Sequence, residues 1–217
     1  MAKKATSKPK AKAAKSKSKS GAPSDPQAAI IDAALTLAGQ LGWRLVRLDD
    51  IADSAGIDMA TLYRTLPSKT AIVAAWMRRI DEVVATGGPA DADDPAKDRL
   101  FDVVMRRFDA LQPDRDGVSA IARDLMTDPA ALICLFGNRR RSLNWMLELS
   151  GLGSDGFKGR MRARGLELIM LSTFRVWLRD DSRDMSSTMA HLDRQLTRVD
   201  QFLGRARNRG KPETVEA

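Results

Sequence analysis

Large aromatic side chains are scarce in this 217-residue chain: Phe, Trp and Tyr together make up 5% of it. Strands favour aromatic and β-branched residues, whereas the Ala, Leu, Met and Arg that dominate here favour helices, so the deficit speaks against sheets. Cysteine occurs once, as Cys134, which excludes an internal disulfide and fits a reducing compartment. Its place in the apolar run Ala-Leu-Ile-Cys-Leu-Phe predicts a buried thiol acting as a small hydrophobe. The single histidine, His191, has no Cys or His partner at ligand spacing, so no metal site is expected. No apolar run reaches the roughly 18–20 residues of a membrane span. Catalytic motifs are missing too. There is no G-x-S-x-G, no P-loop, no C-x-x-C and no paired carboxylates in a plausible cleft, so neither enzymatic activity nor a cofactor is expected. Asp180, Asp181 and Asp184 cluster, but in a serine-rich stretch before a helix they read as turn and cap residues.

What is present is charge, unevenly placed. Residues 1–20 hold eight lysines and no acid; taking those from the 36 basic residues of the chain leaves 28 against 28 acidic ones. The basic character therefore belongs to the tail and the body is neutral. Residues 1–23 are low-complexity Lys, Ala, Ser and Pro, unable to bury enough surface to order themselves. They lack the apolar segment of a secretory signal and the arginines of a transit peptide. Two readings stay open for them: a solubilising tail, or an arm that holds polyanions without sequence preference.

Order is expected from Ser24-Asp25-Pro26, a capping side chain followed by proline at the first helical position. Ile30, Ala34, Leu37 and Leu41 then recur at helical spacing up to Gly42. A second helix is predicted over 48–55, a left-handed turn at Gly56, and a third helix over 59–66 capped by Asp58. A fourth, capped by Ser68, starts at Lys69 and runs to about residue 85. Beyond an acidic, glycine-rich loop the sequence predicts helices near 95–111, 117–125, 129–150, 157–180 and 186–204. The fold class is all-α: a helix-turn-helix domain over 24–85 and a helical bundle for ligand binding and dimerisation over 86–204, flanked by the tail 1–23 and a flexible end at 205–217.

The order helix, glycine turn, short helix, tyrosine, capped helix opening on lysine is what laying one helix in a DNA major groove requires. Met59, Ala60, Thr61 and Arg64 fall on the early outward face of the third helix. Small residues there allow close approach to base edges, and a Thr methyl or an Arg fork can read them. Tyr63 is placed to reach a phosphate, Lys69 stands in a first helical turn where free amides already attract anions, and Arg47 is placed to reach the facing strand.

The stretch from Ile30 to Val73, with Ile51-Ala52, Ala55-Gly56, Thr61-Leu62-Tyr63 and Ser68-Lys69, resembles the DNA-binding domain of TetR-type bacterial repressors. The resemblance covers about 50 residues. It implies a ligand-responsive repressor that binds a palindromic operator on double-stranded DNA as a dimer, in the cytoplasm at the nucleoid, with Tyr63 and Lys69 on phosphates and the third helix in the groove. The chain departs from the family at Arg47, usually Thr or Ser, at Leu66, usually aromatic, and at Asp58, commonly Ser or Thr. Residues 24–78 carry five basic and six acidic side chains, so affinity is expected to lean on the tail and to depend strongly on salt.

Trp145, Trp177, Asp181-Ser182, Thr188 and Leu192-Asp193-Arg194 give a second likeness. Their segments resemble the helical domain of a ubiquinone-biosynthesis accessory protein family, which shares the TetR-like fold but binds lipid and has lost DNA binding. That implies the alternative function, a lipid- or quinone-binding protein without operator binding, and an apolar pocket whose candidate lining is Met105, Phe108, Trp145, Met146, Met170 and Phe174. Plain helical core remains open for each of these. Met185, Met189, Leu192, Leu196, Val199 and Leu203 are spaced 4, 3, 4, 3, 4, a narrow seam that packs helix on helix. The partner is either the chain's own core or a second chain; a homodimer through the last two helices would use Trp177, Met189, Leu192, Leu196 and Val199.

Overall fold

The computed structural model describes residues 23–209, so the readings of the lysine tail and of the last eight residues lie outside it, as does the Leu203 side chain. Nine α-helices and one short 3-10 turn make up the described elements. They are α1 Pro26–Leu41, α2 Leu48–Ala55, α3 Met59–Thr65, α4 Lys69–Thr86, α5 Ala96–Leu111, α6 Arg115–Leu125, α7 Pro129–Leu149, α8 Gly156–Trp177 and α9 Ser186–Arg209, with the 3-10 turn at Gln112–Asp114. The caps are those the sequence advertises. Asp25 accepts from the amides of Gln27 and Ala28 at 2.9 and 3.1 Å, Asp58 from Thr61 at 2.7 Å and Ser68 from Ala71 at 3.1 Å, each satisfying an amide that the helix start leaves free. Gly56 takes φ +68 between α2 and α3, a conformation glycine adopts without steric cost. Between α5 and α6 the expected break at Gln112-Pro113 is instead a tight 3-10 turn, and α6 starts two residues early.

One continuous apolar core runs from Ile30 of α1 to Leu196 of α9. Helix α1 lies across α6 at very close range: a Cβ added to Gly117 would stand 2.3 Å from the Leu35 carbonyl oxygen. Three polar ties reinforce the arrangement. Asp81 of α4 accepts from Arg107 of α5 at 2.5 Å and from Ser142 of α7 at 2.7 Å. Arg79 of α4 bonds Asp32 of α1 at 2.5 Å. Buried Asp180 accepts from the amide and hydroxyl of Thr188, both at 2.7 Å, and from Ser182; this caps α9 and ends α8 at Trp177 rather than at residue 180. Burial works to raise the Asp180 pKa, but the Ser182 and Thr188 hydroxyls and amides outweigh it and hold the group at about 2.

Several expectations are corrected. Cys134 is exposed: in the first turns of α7 only Leu135 points inward, while Ile133 and Phe136 face out with the thiol. Trp177, Leu192 and Leu196 are buried within one chain and leave no surface for a second. Trp177 donates its Nε1 hydrogen to Gln112 at 2.8 Å and stacks on Phe174, ring centroids 5.4 Å apart. Met189 packs against the same core; of the proposed dimer residues only Val199 is open, at 43% exposure. The seam of α9 is thus the chain's own core. Of the pocket candidates, Met105, Phe108 and Met146 are buried core, Met170 and Phe174 pack against it, and Trp145, 48% exposed, looks into solvent.

Gly117→Ala drives a methyl into backbone rather than into a side chain that could yield. The expected cost is about 1–3 kcal/mol, read as a lower midpoint in thermal or urea unfolding. Asp180 contributes stability in full above the ordinary carboxyl value of 3.8, and that contribution is lost as pH falls through about 2. Asp180→Asn should therefore flatten the acid limb of stability against pH, measured by urea midpoints between pH 5 and 2.

Candidate nucleic-acid interface

Helices α2 and α3 are anchored from below and open from above. Ile51, Ala52, Leu62 and Leu66 are buried in the core, which fixes the orientation of the two short helices. Leu66, where the resembled family has an aromatic, fills that space as an aliphatic. On the outer side of α3, Met59, Ala60, Tyr63 and Arg64 are exposed and Thr61 is half-buried. Tyr63 is 70% exposed, so its ring stands away from the bundle rather than lying on it.

The polar geometry orders this face. The Arg64 guanidinium donates to the Thr61 hydroxyl at 2.9 Å, so one arginine fork and one hydroxyl are presented as a unit in the first turns of α3. The Asp58 carboxylate that caps α3 is held below its usual pKa, chiefly by the Thr61 amide, and puts a negative charge beside those two groups. At the head of α2 the side chain of Arg47, with no oxygen to offer, makes no cap. Asp50 supplies the reciprocal half by accepting from the Arg47 amide at 3.1 Å. The Arg47 guanidinium itself is exposed and tied to Asp49 at 2.9 Å, so it reaches outward with its charge partly matched.

Lys69 is placed differently from the other five. Its ammonium donates to the carbonyls of Trp43 and, at 2.9 Å, of Val46, and lies 4.3 Å from the centre of the Trp43 ring. Burial holds it below the ordinary lysine pKa, against the pull of Asp124. In this structure it clamps the loop between α1 and α2. The amide of Arg44 in that loop also donates to Asp124 at the end of α6, at 2.6 Å. Trp43 and Asp124 thus support the candidate site in a way that sequence reasoning missed. The signal for Trp43, an aromatic directly after the α1 stop, is visible in the sequence; its partner 26 positions away is not.

The described surface thus presents Met59, Thr61, Tyr63 and Arg64 together on α3, Arg47 apart at the head of α2, and Lys69 beneath the loop. A helix of this size with small and forked residues leading and its inner face fixed suits insertion into a major groove. Among the described residues, no cluster of His, Cys, Asp and Glu could hold a metal, and no helix is long and apolar enough to cross a membrane.

Residues 30–76 match the family model for bacterial regulatory proteins of the tetR family. A curated relative, the HTH-type transcriptional activator FasR of Mycolicibacterium smegmatis, is 28% identical over 145 residues, 64% of this chain and 66% of that protein. Among solved structures, a TetR transcriptional regulator from Nitrosomonas europaea is 25% identical with a TM-score of 0.69, over 82% of this chain and 99% of that one. The fatty acid degradation regulator FadR from Bacillus halodurans has the same fold at 16% identity and a TM-score of 0.61, over 80% and 95% of the two chains.

Replacing Lys69 with Ala should cost about 1–3 kcal/mol of stability, because the two loop carbonyls lose a charged donor. Tyr63→Ala should stay within about 0.5 kcal/mol of the parent, as expected for an exposed side chain. Chemical unfolding of both variants checks the contrast.

Proposed function

We propose that this tetR-family protein is a transcriptional regulator that binds a palindromic operator as a dimer and is released or engaged by a ligand in its C-terminal helices. The observation that carries the reading is the outward face of α3, where Tyr63, Thr61 and Arg64 are free to meet DNA while Leu62 locks the helix from behind. Met59 and Thr61 approach base edges, the Arg64 fork reads them, and Tyr63 and Arg47 take phosphates. Lys69 contributes by holding the loop that aims α2, and a phosphate contact from it would require its ammonium to leave the Trp43 and Val46 carbonyls.

Dimerisation is supported by apolar side chains that the monomer leaves open on the last two helices: Leu168 and Leu171 on α8, Val199 and Phe202 on α9. They replace the buried Trp177, Leu192 and Leu196 in that role. Two heads about one helical turn of DNA apart, roughly 34–36 Å, then meet successive major grooves, and a small change in their spacing suffices to lose one half-site. The likeness to TetR repressors favours repression, although one relative bears an activator's name; the sign follows from where the operator lies relative to the promoter. Acting on the chromosome places the protein in the bacterial cytoplasm, at the nucleoid.

The acidic balance of residues 24–78 supports a second reading, a lipid- or quinone-binding protein of the same fold that no longer holds an operator. Footprinting on the DNA flanking its own gene separates the two. The regulator protects a palindrome, Tyr63→Ala weakens that binding at least tenfold, about 1.4 kcal/mol, and removing residues 1–23 flattens the dependence of affinity on salt. A footprint that is absent, or identical for wild type and Tyr63→Ala, would sink the regulatory reading.

A further inference from the structure

The cleft between α7 and α8, about 110 Å³ in volume, is lined by four arginines: Arg139 and Arg140 from α7, Arg160 and Arg164 from α8. A single acid, Glu167, stands among them, 2.7 Å from Arg139 and 4.0 Å from Arg164. Arg139 also lies over the Phe136 ring, 5.4 Å from its centre. Arg140 and Arg160 have no carboxylate within 4.0 Å among the described residues. The lining therefore carries a surplus of three positive charges, a local positive potential that favours an anion. One wall is apolar, formed by Phe136, Leu143 and Ala163, and Ser154 and Asn144 add neutral polar groups.

We infer that this cleft is a binding site for a small phosphate ester or diphosphate, its oxyanion held by Arg140 and Arg160 and its apolar stem laid on the Phe136–Leu143 wall. The charge count selects the class. A monocarboxylate leaves two positive charges unmatched, a phosphate dianion leaves one, and a diphosphate leaves none. Arginine forks suit phosphate oxygens, which accept two parallel N–H bonds. The cleft has room for the phosphate group itself, and the rest of the ligand lies along its open mouth. Bound there, the anion would bridge α7 to α8. The site depends on the regulatory reading only for its purpose, because binding is measured without DNA; operator binding can fail while the site stands, and the reverse.

The test is calorimetric titration of the full chain with phenyl phosphate, inorganic phosphate and benzoate, using wild type and the double variant R140Q/R160Q. Both positions are exposed, so the variant should melt with the parent. The expected result is phenyl phosphate binding at least tenfold more tightly to wild type than to the variant, with inorganic phosphate and benzoate each weaker than phenyl phosphate. The same change made at Arg175 and Arg183 should have no effect. The lysine tail is present in every variant, so equal binding by wild type and R140Q/R160Q would assign the affinity to the tail and overturn the site. Benzoate binding as tightly as phenyl phosphate would overturn the charge argument. Sedimentation with phosphatidic acid vesicles separates a lipid headgroup: co-sedimentation lost in R140Q/R160Q, with no uptake of phenyl phosphate, would overturn the small-molecule assignment.

Discussion

The crossing of α1 over α6 at Gly117 is the constraint on which the rest of the molecule depends. Backbone meets backbone there, with the Leu35 carbonyl occupying the space a side chain would need. Helix α1 also packs against both α2 and α3, and its Ile30, Ile31, Ala34 and Ala38 are buried in the core. The reading head and the C-terminal helices are therefore parts of one core rather than beads on a linker. Close-packed interiors transmit displacement instead of absorbing it, so a shift of α6 has to be felt in α1. The Arg44 amide on Asp124 ties the loop after α1 to the end of α6, and the Arg79–Asp32 pair ties α1 to α4.

Buried polar groups do a second job, which is to make the helix arrangement unique. The Asp81 carboxylate satisfies Arg107 and Ser142 at once and so ties α4, α5 and α7 at a single point. Removing two charges from water is costly, and such a pair contributes little net stability compared with an apolar substitute. Its geometric demand is strict, however, because an alternative packing would leave a charge unpaired. Asp180 acts similarly at the head of α9, where the donors that converge on it set the corner between the last two helices. The same logic explains Lys69: one ammonium organises a loop by collecting its carbonyls. The recognition face, by contrast, spends few of its groups on the fold, and Tyr63 spends none among the bonds described.

The α7–α8 cleft lies on the far side of this system from the reading head in chain order, yet α7 is joined to α4 through Ser142 and Asp81. An anion that changes how α7 and α8 sit against each other acts on a helix already bonded to α4, which begins beside the candidate interface on α3. Differential binding to two arrangements of that joint is all that ligand control of DNA affinity requires.

The helices, their caps and the helix-turn-helix were legible in the sequence because their causes are local. Asp25, Asp58 and Ser68 bond amides two or three residues away, and Gly56 turns the chain by its own φ. The outward set on α3 followed from a 3.6-residue period over seven residues. What the sequence left open has non-local causes. A 4-3-4-3 seam on α9 says that a helix packs on another, not whose, and only the assembled fold showed Trp177, Leu192 and Leu196 facing their own core. An apolar run around Cys134 reads as interior whether or not a neighbour arrives to cover it, and along the start of α7 only the Leu135 side is covered. Lys69 reads as a free cation from its position, but it became a loop clamp because folding brought Trp43 and Val46 to it. The four arginines of the cleft, split between two helices some twenty residues apart, became a site only when α7 and α8 closed on each other. Local hydrogen bonding and periodicity thus settled which segments are helices and which residues open them; pairing of faces, burial and convergent charge were decided by tertiary packing, since each depends on the surface of another element.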